Sequence, residues 1–116
     1  MIGIDILEIE RLHVPDKHFY QRVFLPSEIS YIESKNHSAE TVAGLFCCKE
    51  AILKALGCGI GNGANFHQVE IYHDELGQPQ ARVYEKCHEL LLEKGKTIFV
   101  SITHSAKTAV AVAIIK

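Results

Sequence analysis

The hydrophobic pattern switches between periods of two and of about 3.6 residues, and the switches mark out the elements. Residues 1–6 form a short apolar run that predicts a buried strand ending near Asp5. Residues 15–24 take up helical spacing, with Pro15 suited to a first turn. Ser27, one residue past Pro26, is placed to cap a short helix running through Glu33. Ser38 with Thr41 opens a long helix, and Gly57 is its natural stop. A glycine-rich turn over residues 57–63 follows. Residues 66–73 then alternate, with His67, Val69 and Ile71 on one face and Phe66, Gln68, Glu70 and Tyr72 on the other. Glu75-Leu76-Gly77 reads as a hairpin turn into a strand over residues 80–83. Residues 84–94 form an amphipathic helix ended by Gly95, and residues 97–103 and 108–115 are β-rich. Helices interleaved with hairpins predict an α+β fold, a single domain over residues 1–116 with an antiparallel sheet against a long central helix.

That long helix is the most informative segment. From Val42 to Cys58 its only charges are Lys49, Glu50 and Lys54. Val42, Leu45, Ile52, Leu53 and Leu56 make a broad apolar stripe, and the opposite arc (Ala43, Gly44, Cys47, Cys48, Ala51, Ala55) is small rather than polar. A helix without a solvated face is a buried helix. Ionised groups on it need a partner, a metal or a ligand. Glu50 and Lys54 are therefore placed for chemistry, while Lys49 falls on the apolar stripe with no role that the pattern supplies.

Composition narrows the possibilities. A formal net charge of −2 argues against a dedicated nucleic-acid binder, and an apolar fraction of 47% suits an ordinary globular protein. The apolar runs are too short to span a bilayer, and the acidic N-terminal stretch is not a signal peptide, so no membrane is expected. Cys47, Cys48, Cys58 and Cys87 show no zinc-type spacing and are expected to be reduced thiols in the cytoplasm. Charge is uneven: Arg11, His13, Lys17, His18 and Arg22 face only Asp16 over that stretch. This is either a solvated basic face or a dock for an acidic partner.

Asp5, flanked by Ile4 and Ile6, is either a cap for the following turn or a ligand. Paired with Glu50, and without a cluster of His or Cys nearby, it suits a hard cation such as Mg²⁺, which keeps several waters and often bridges phosphates. Lys54 is either an i,i+4 partner of Glu50 or a point charge for phosphate oxygens, and the dryness of the helix favours the second. Gly59-Ile60-Gly61-Asn62-Gly63-Ala64 fits G-x-G-x-x-A but follows a helix, so a dinucleotide site is rejected. What survives is a loop able to bring backbone N–H groups to an anion, or a plain helix-ending turn. His104, beside Ser101, Thr103 and Ser105, lacks a nucleophile elbow and reads as a structural strand-end histidine.

Read together, these segments resemble the 4'-phosphopantetheinyl transferases of the short bacterial holo-[acyl-carrier-protein] synthase type. The matching pieces are Gly3-Ile4-Asp5-Ile6-Leu7-Glu8-Ile9-Glu10-Arg11, residues 24–28, Phe46-Cys47-Cys48-Lys49-Glu50-Ala51, Lys54-Ala55-Leu56-Gly57-Cys58-Gly59-Ile60, Gly77-Gln78-Pro79 and Val100-Ser101-Ile102-Thr103-His104. They occur in the family's order and span almost the whole chain. The resemblance implies transfer of phosphopantetheine from coenzyme A to a serine of an acyl carrier protein, a step that serves lipid biosynthesis. It implies Asp5 and Glu50 as Mg²⁺ ligands and Glu50 and Lys54 as catalytic groups. Phe46, Lys54, Gly57, Gly59, Ile60 and His104 would contact coenzyme A. Arg11, Lys17, His18 and Arg22 would dock the acidic carrier protein, a contact expected to weaken with salt. A homotrimer with active sites between subunits is implied as well.

The chain departs from the family where an arginine usually precedes the Phe-Ala-x-Lys-Glu motif and Leu45 stands instead. Cys47 and Cys48 replace the usual alanines. The basic helix is short and relies on histidine, so carrier affinity is expected to be weaker and to rise as pH falls toward about 6. A catalytically weak trimer that binds coenzyme A or carrier protein, and a small Mg²⁺-dependent phosphatase, are the competing expectations.

Overall fold

The computed structural model describes residues 1–12 and 16–116. Its elements run β1 (Ile2–Glu8), a 3₁₀ turn (Ile9–Arg11), α1 (Lys17–Val23), α2 (Pro26–Ser34), α3 (Ala39–Ala55), a second 3₁₀ turn (Phe66–Gln68), β2 (Val69–His73), β3 (Pro79–Val83), α4 (Glu85–Lys94), β4 (Ile98–His104) and β5 (Thr108–Ile115). β1, β5 and β4 form an antiparallel sheet in that order, and β2 and β3 form a separate hairpin. The α+β architecture and the central helix expected from the pattern are present.

Several boundaries differ from expectation for local reasons. The roles expected of His13 and Pro15 lie outside the described residues; Asp16 caps α1, its Oδ1 accepting the Phe19 N–H at 2.9 Å. Ser27 does not cap α2. Leu25 holds the cap position, Pro26 opens the helix, and Glu28 reaches back to accept the Leu25 N–H at 2.8 Å. The Ser27 hydroxyl instead donates to Glu70 at 2.8 Å. Ser38 does cap α3, accepting from the Thr41 N–H at 3.1 Å. Gly57, with φ of +76°, ends the helix in the left-handed region open to glycine. Residues 66–68 coil into a 3₁₀ turn rather than extending the strand, because Asn65 accepts the His67 N–H at 2.9 Å. His67 is thereby turned out to solvent, where its ring bonds the Gln21 carbonyl.

α3 lies on the sheet at close range, and small residues on both surfaces make that possible. Ala109, Ala111 and Ala113 of β5 are buried beneath it, level with Leu7, Asp5 and Gly3 of β1. A Cβ on Gly3 would run into the Ala51 carbonyl oxygen and lie 2.6 Å from the Ala55 amide nitrogen. Gly44 faces β4 less tightly, a Cβ there lying 3.1 Å from the Ile102 side chain. The small arc of α3 is therefore its sheet-facing surface.

The apolar stripe turns away from the sheet, and there the unexplained lysine finds its partner. Lys49 and Glu28 are both fully buried and in direct ion-paired contact. Burial pulls the Lys49 ammonium below its ordinary value, and the Glu28 charge opposes that pull. Glu28 is held in turn by the Leu25 N–H on one oxygen and by the Ile71 N–H, at 2.8 Å, on the other. One carboxylate thus ties α2, β2 and α3 together.

β1 is buried on one face only. Ile2, Ile4 and Ile6 are 68%, 61% and 68% exposed, and in register they meet Ile114, Val112 and Val110 of β5. Phe99 of β4, opposite Ile114, continues this open apolar face. The expected buried strand is an exposed one here, since no layer of the described chain covers that side.

Candidate active site

The register of β1 and the pitch of α3 bring two distant carboxylates together. Asp5 points from β1 toward α3, as Gly3 does two residues earlier. Glu50 lies on the adjoining flank of α3, half-buried, and its pKa is raised, first by burial and then by the charge of Asp5, with Lys54 opposing. One turn along, the Lys54 Nζ donates to Asp5 Oδ1 at 2.9 Å and to the Ile4 carbonyl at 3.1 Å. Lys54 is thus neither a simple partner of Glu50 nor a free cation: it bridges the helix to the strand. Its side chain stays 53% exposed, so its ammonium remains open to a ligand. The Asp5 contact raises its pKa and keeps it charged.

Two carboxylates with one ammonium are an oxygen-rich site with surplus negative charge. Cys47, the nearest sulfur, is buried, and its thiol is pushed up to about 12 by burial and by Asp5, so it stays protonated and is no thiolate ligand. Among the described residues no group of three or more His, Cys, Asp and Glu could hold a metal ion. Asp5 and Glu50 suit a hard cation that completes its shell with water and substrate oxygens, and not a soft metal in a protein cage.

The other expected site residues fall in two places. Gly57, Gly59 and Ile60 are exposed at the C-terminal end of α3, beside Lys54. His104 is exposed at the end of β4, near Gly44 toward the other end of the helix, about 20 Å away at 1.5 Å per residue. There it lines a cleft of about 190 Å³ with Thr41, Leu45, His73, Gly77 and Pro79. Phe46 joins neither group directly: it packs among Phe19 and Phe66, with ring centroids at 5.6 and 5.7 Å. Leu45 is buried and offers the cleft no charge. Arg11, Lys17, His18 and Arg22 are all exposed, but Arg11 lies on the turn after β1 and pairs with Glu8 at 3.2 Å, whereas the others lie on α1.

Sequence reasoning missed the far wall of the cleft. Tyr31 of α2 and His73 of β2 stack there at 3.9 Å with rings 5° from parallel. Burial, aided by the charge of Lys35, lowers the His73 pKa and keeps its ring neutral. The two residues meet only through tertiary packing, so no local signal announced them. Glu28 did carry one: a glutamate three residues after a helix cap, with proline between, is a start signature.

The family model for the 4'-phosphopantetheinyl transferase superfamily matches residues 1–114. The chain is 39% identical over 119 aligned positions to the holo-[acyl-carrier-protein] synthase of Geobacter sp. (strain M21), covering 98% of this chain and 95% of that one. It is 40% identical to the holo-[acyl-carrier-protein] synthase of Geotalea daltonii, with 98% and 95% covered. Among solved structures it resembles the Helicobacter pylori holo-[acyl-carrier-protein] synthase in complex with coenzyme A, with a TM-score of 0.86, 32% identity and 100% of both chains covered. The Neisseria meningitidis holo-[acyl-carrier-protein] synthase gives a TM-score of 0.88 at 26% identity, over 99% of this chain and 96% of that one.

The raised Glu50 pKa has a stability consequence. A carboxyl group whose folded pKa lies above its unfolded value favours the fold when protonated, and that contribution is lost as pH rises through the folded value. Glu50→Gln is therefore expected to melt above the wild type at pH 7 in metal-free buffer, with the gap closing below the ordinary carboxyl value of 4.5. Thermal melts across that range check it; a wild type as stable as the variant at pH 7 would contradict the raised pKa.

Proposed function

This chain belongs to the 4'-phosphopantetheinyl transferase superfamily, and from that premise we propose that it moves 4'-phosphopantetheine from coenzyme A to a serine of an apo acyl carrier protein, releasing adenosine 3',5'-bisphosphate with Mg²⁺ as cofactor. The observation that carries this reading is the meeting of Asp5, Glu50 and Lys54 across β1 and α3. Asp5 and Glu50 would hold the cation. Such a cation would supply positive charge to offset what builds on the leaving phosphate. Lys54 adds a second positive charge, its exposed ammonium turning from Asp5 toward a phosphate oxygen. The serine oxygen forms the new P–O bond, the bond to the bisphosphate breaks, and the serine proton passes to Glu50 or to a water held beside it. Burial raises the proton affinity of Glu50, which suits it to that duty.

The remaining residues divide the labour of binding. The exposed loop at Gly57, Gly59 and Ile60 approaches the phosphates beside Lys54. His104 and its cleft take another part of coenzyme A. Phe46, expected to touch coenzyme A, contributes by packing between Phe19 of α1 and Phe66 of the second 3₁₀ turn. Arg11, Lys17, His18 and Arg22 offer positive charge to an acidic carrier protein. The single core that unites the elements supports residues 1–116 acting as one domain, and the free thiols suit the reducing cytoplasm.

Within one protomer His104 and the Gly57 loop lie at opposite ends of α3. A homotrimer assembled through the open face of Ile2, Ile4, Ile6, Val112, Ile114 and Phe99 supports a site completed between subunits and covers an apolar surface that a monomer leaves in water. The uncharged Leu45 in the cleft favours one second reading, a trimer that binds coenzyme A but transfers weakly.

Mass analysis of apo carrier proteins incubated with coenzyme A and Mg²⁺ separates the two. Gain of one phosphopantetheine group is expected, with Glu50→Gln abolishing it and Lys54→Ala slowing it about 10²-fold. No gain on any of several carrier proteins would overturn the transferase reading, and a loss of only a few-fold for Lys54→Ala would reduce that lysine to a structural tie. Ile4→Asp is expected to convert a trimer to monomers in light scattering; a trimer that tolerates the buried aspartate would place the interface elsewhere.

A further inference from the structure

The hydrophobic effect is non-directional, so once the small arc of a helix faces the sheet it discriminates only weakly between rotations a few degrees apart. α3 meets the sheet through Gly44, Cys47, Ala51 and Ala55, which present shallow ridges to β4, β5 and β1. Turning such a helix by about 10° carries a side-chain group about 5–6 Å from its axis through about 1 Å. A displacement of about 1 Å is enough to cost a reacting group about 10²-fold in rate. Glu50 stands on this helix and Asp5 on the strand beside it, so the rotation of α3 decides whether the two carboxylates meet.

Lys54 ties α3 to β1 through Asp5 and the Ile4 carbonyl, but on a long, half-exposed side chain. The buried directional contact on that rotation is made at Lys49, the residue beside Glu50. Lys49 leaves α3 away from the sheet and ends, fully buried, on the Glu28 carboxylate. Glu28 cannot follow a turning helix, because its two oxygens also accept the Leu25 and Ile71 N–H groups, each at 2.8 Å. The Lys49 ammonium is further confined by the Phe24 ring, 5.7 Å from its centroid. The phase of α3 is thereby referred to the first turn of α2 and to β2, two elements outside the sheet. We propose that Lys49 and Glu28 are positioning residues for the carboxylate site: their buried pair sets the rotation of α3 that presents Glu50 to Asp5. This rests on the reading of Asp5 and Glu50 as the reacting centre.

Stability alone gives little reason for such a pair, because uncharged side chains of similar volume often serve a core as well. The double variant Glu28→Gln/Lys49→Met uses that fact: it is neutral, close in shape, and keeps an amide oxygen for one of the two backbone N–H donors. It is expected to melt cooperatively, to lose about 10–100-fold in kcat with the KM for coenzyme A unchanged, and to show in its crystal structure Glu50 moved by about 1 Å or more relative to Asp5. A cooperatively melting double variant with wild-type kcat, or with Glu50 in the wild-type position, would overturn the proposal. Should the double variant not fold, Lys49→Arg keeps the charge and reseats it through a larger planar head. That variant is expected to fold with lowered kcat and unchanged KM, and wild-type kcat in it would overturn the proposal equally. The crystallographic comparison needs no turnover, so a wild type without transferase activity would strike the proposed function while the Glu50 position still decides this inference.

Discussion

The Glu28–Lys49 pair is the interaction around which the molecule is arranged. Both side chains are sealed from water, and removing one partner would strand a buried charge at a cost of about 3–5 kcal/mol. The pair is tolerable because its carboxylate is well met: two backbone N–H groups and one ammonium bond it. In meeting them, Glu28 binds the start of α2, the strand β2 and the middle of α3 into one unit. The adjacent residue on α3 is Glu50, so this buried tie stands beside the carboxylate proposed to react.

On the opposite side of α3 the constraint is steric rather than electrostatic. Gly3, with the alanines of β5, lets the helix approach until the backbone of β1 nearly touches that of residues 51 and 55. That closeness allows Lys54 to bond both the Asp5 carboxylate and the Ile4 carbonyl. It also sets Asp5 near Glu50, whose pKa is raised first by burial and then by the Asp5 charge. The raised Glu50 pKa is consistent with the proposed cation site, where a bound cation would offset the crowded negative charge.

Much of this was legible in the chain because it depends on local pattern. The dry helix with isolated charges announced α3, Ser38 and Gly57 marked its ends, and alternation marked the strands. The pairing of Asp5 with Glu50 followed from their isolation in apolar surroundings. Lys49 was different. Its partner lies 21 positions away, and only tertiary packing decides which of several acids meets it. The Tyr31–His73 wall of the cleft was hidden for the same reason. The 3₁₀ turn at residues 66–68 broke an alternation that read as strand, because one side-chain cap from Asn65 outweighed a weak periodic signal. The outward isoleucines of β1 read as buried because apolarity predicts coverage but not whether the covering layer belongs to the same chain.

The Asp5–Glu50 centre is tested most directly by anomalous scattering from crystals grown with Mn²⁺ and coenzyme A. A manganese peak between Asp5 and Glu50, with a substrate phosphate on the Lys54 side, is the expected result. Ordered coenzyme A with the metal bound elsewhere, or with both carboxylates bare, would contradict it.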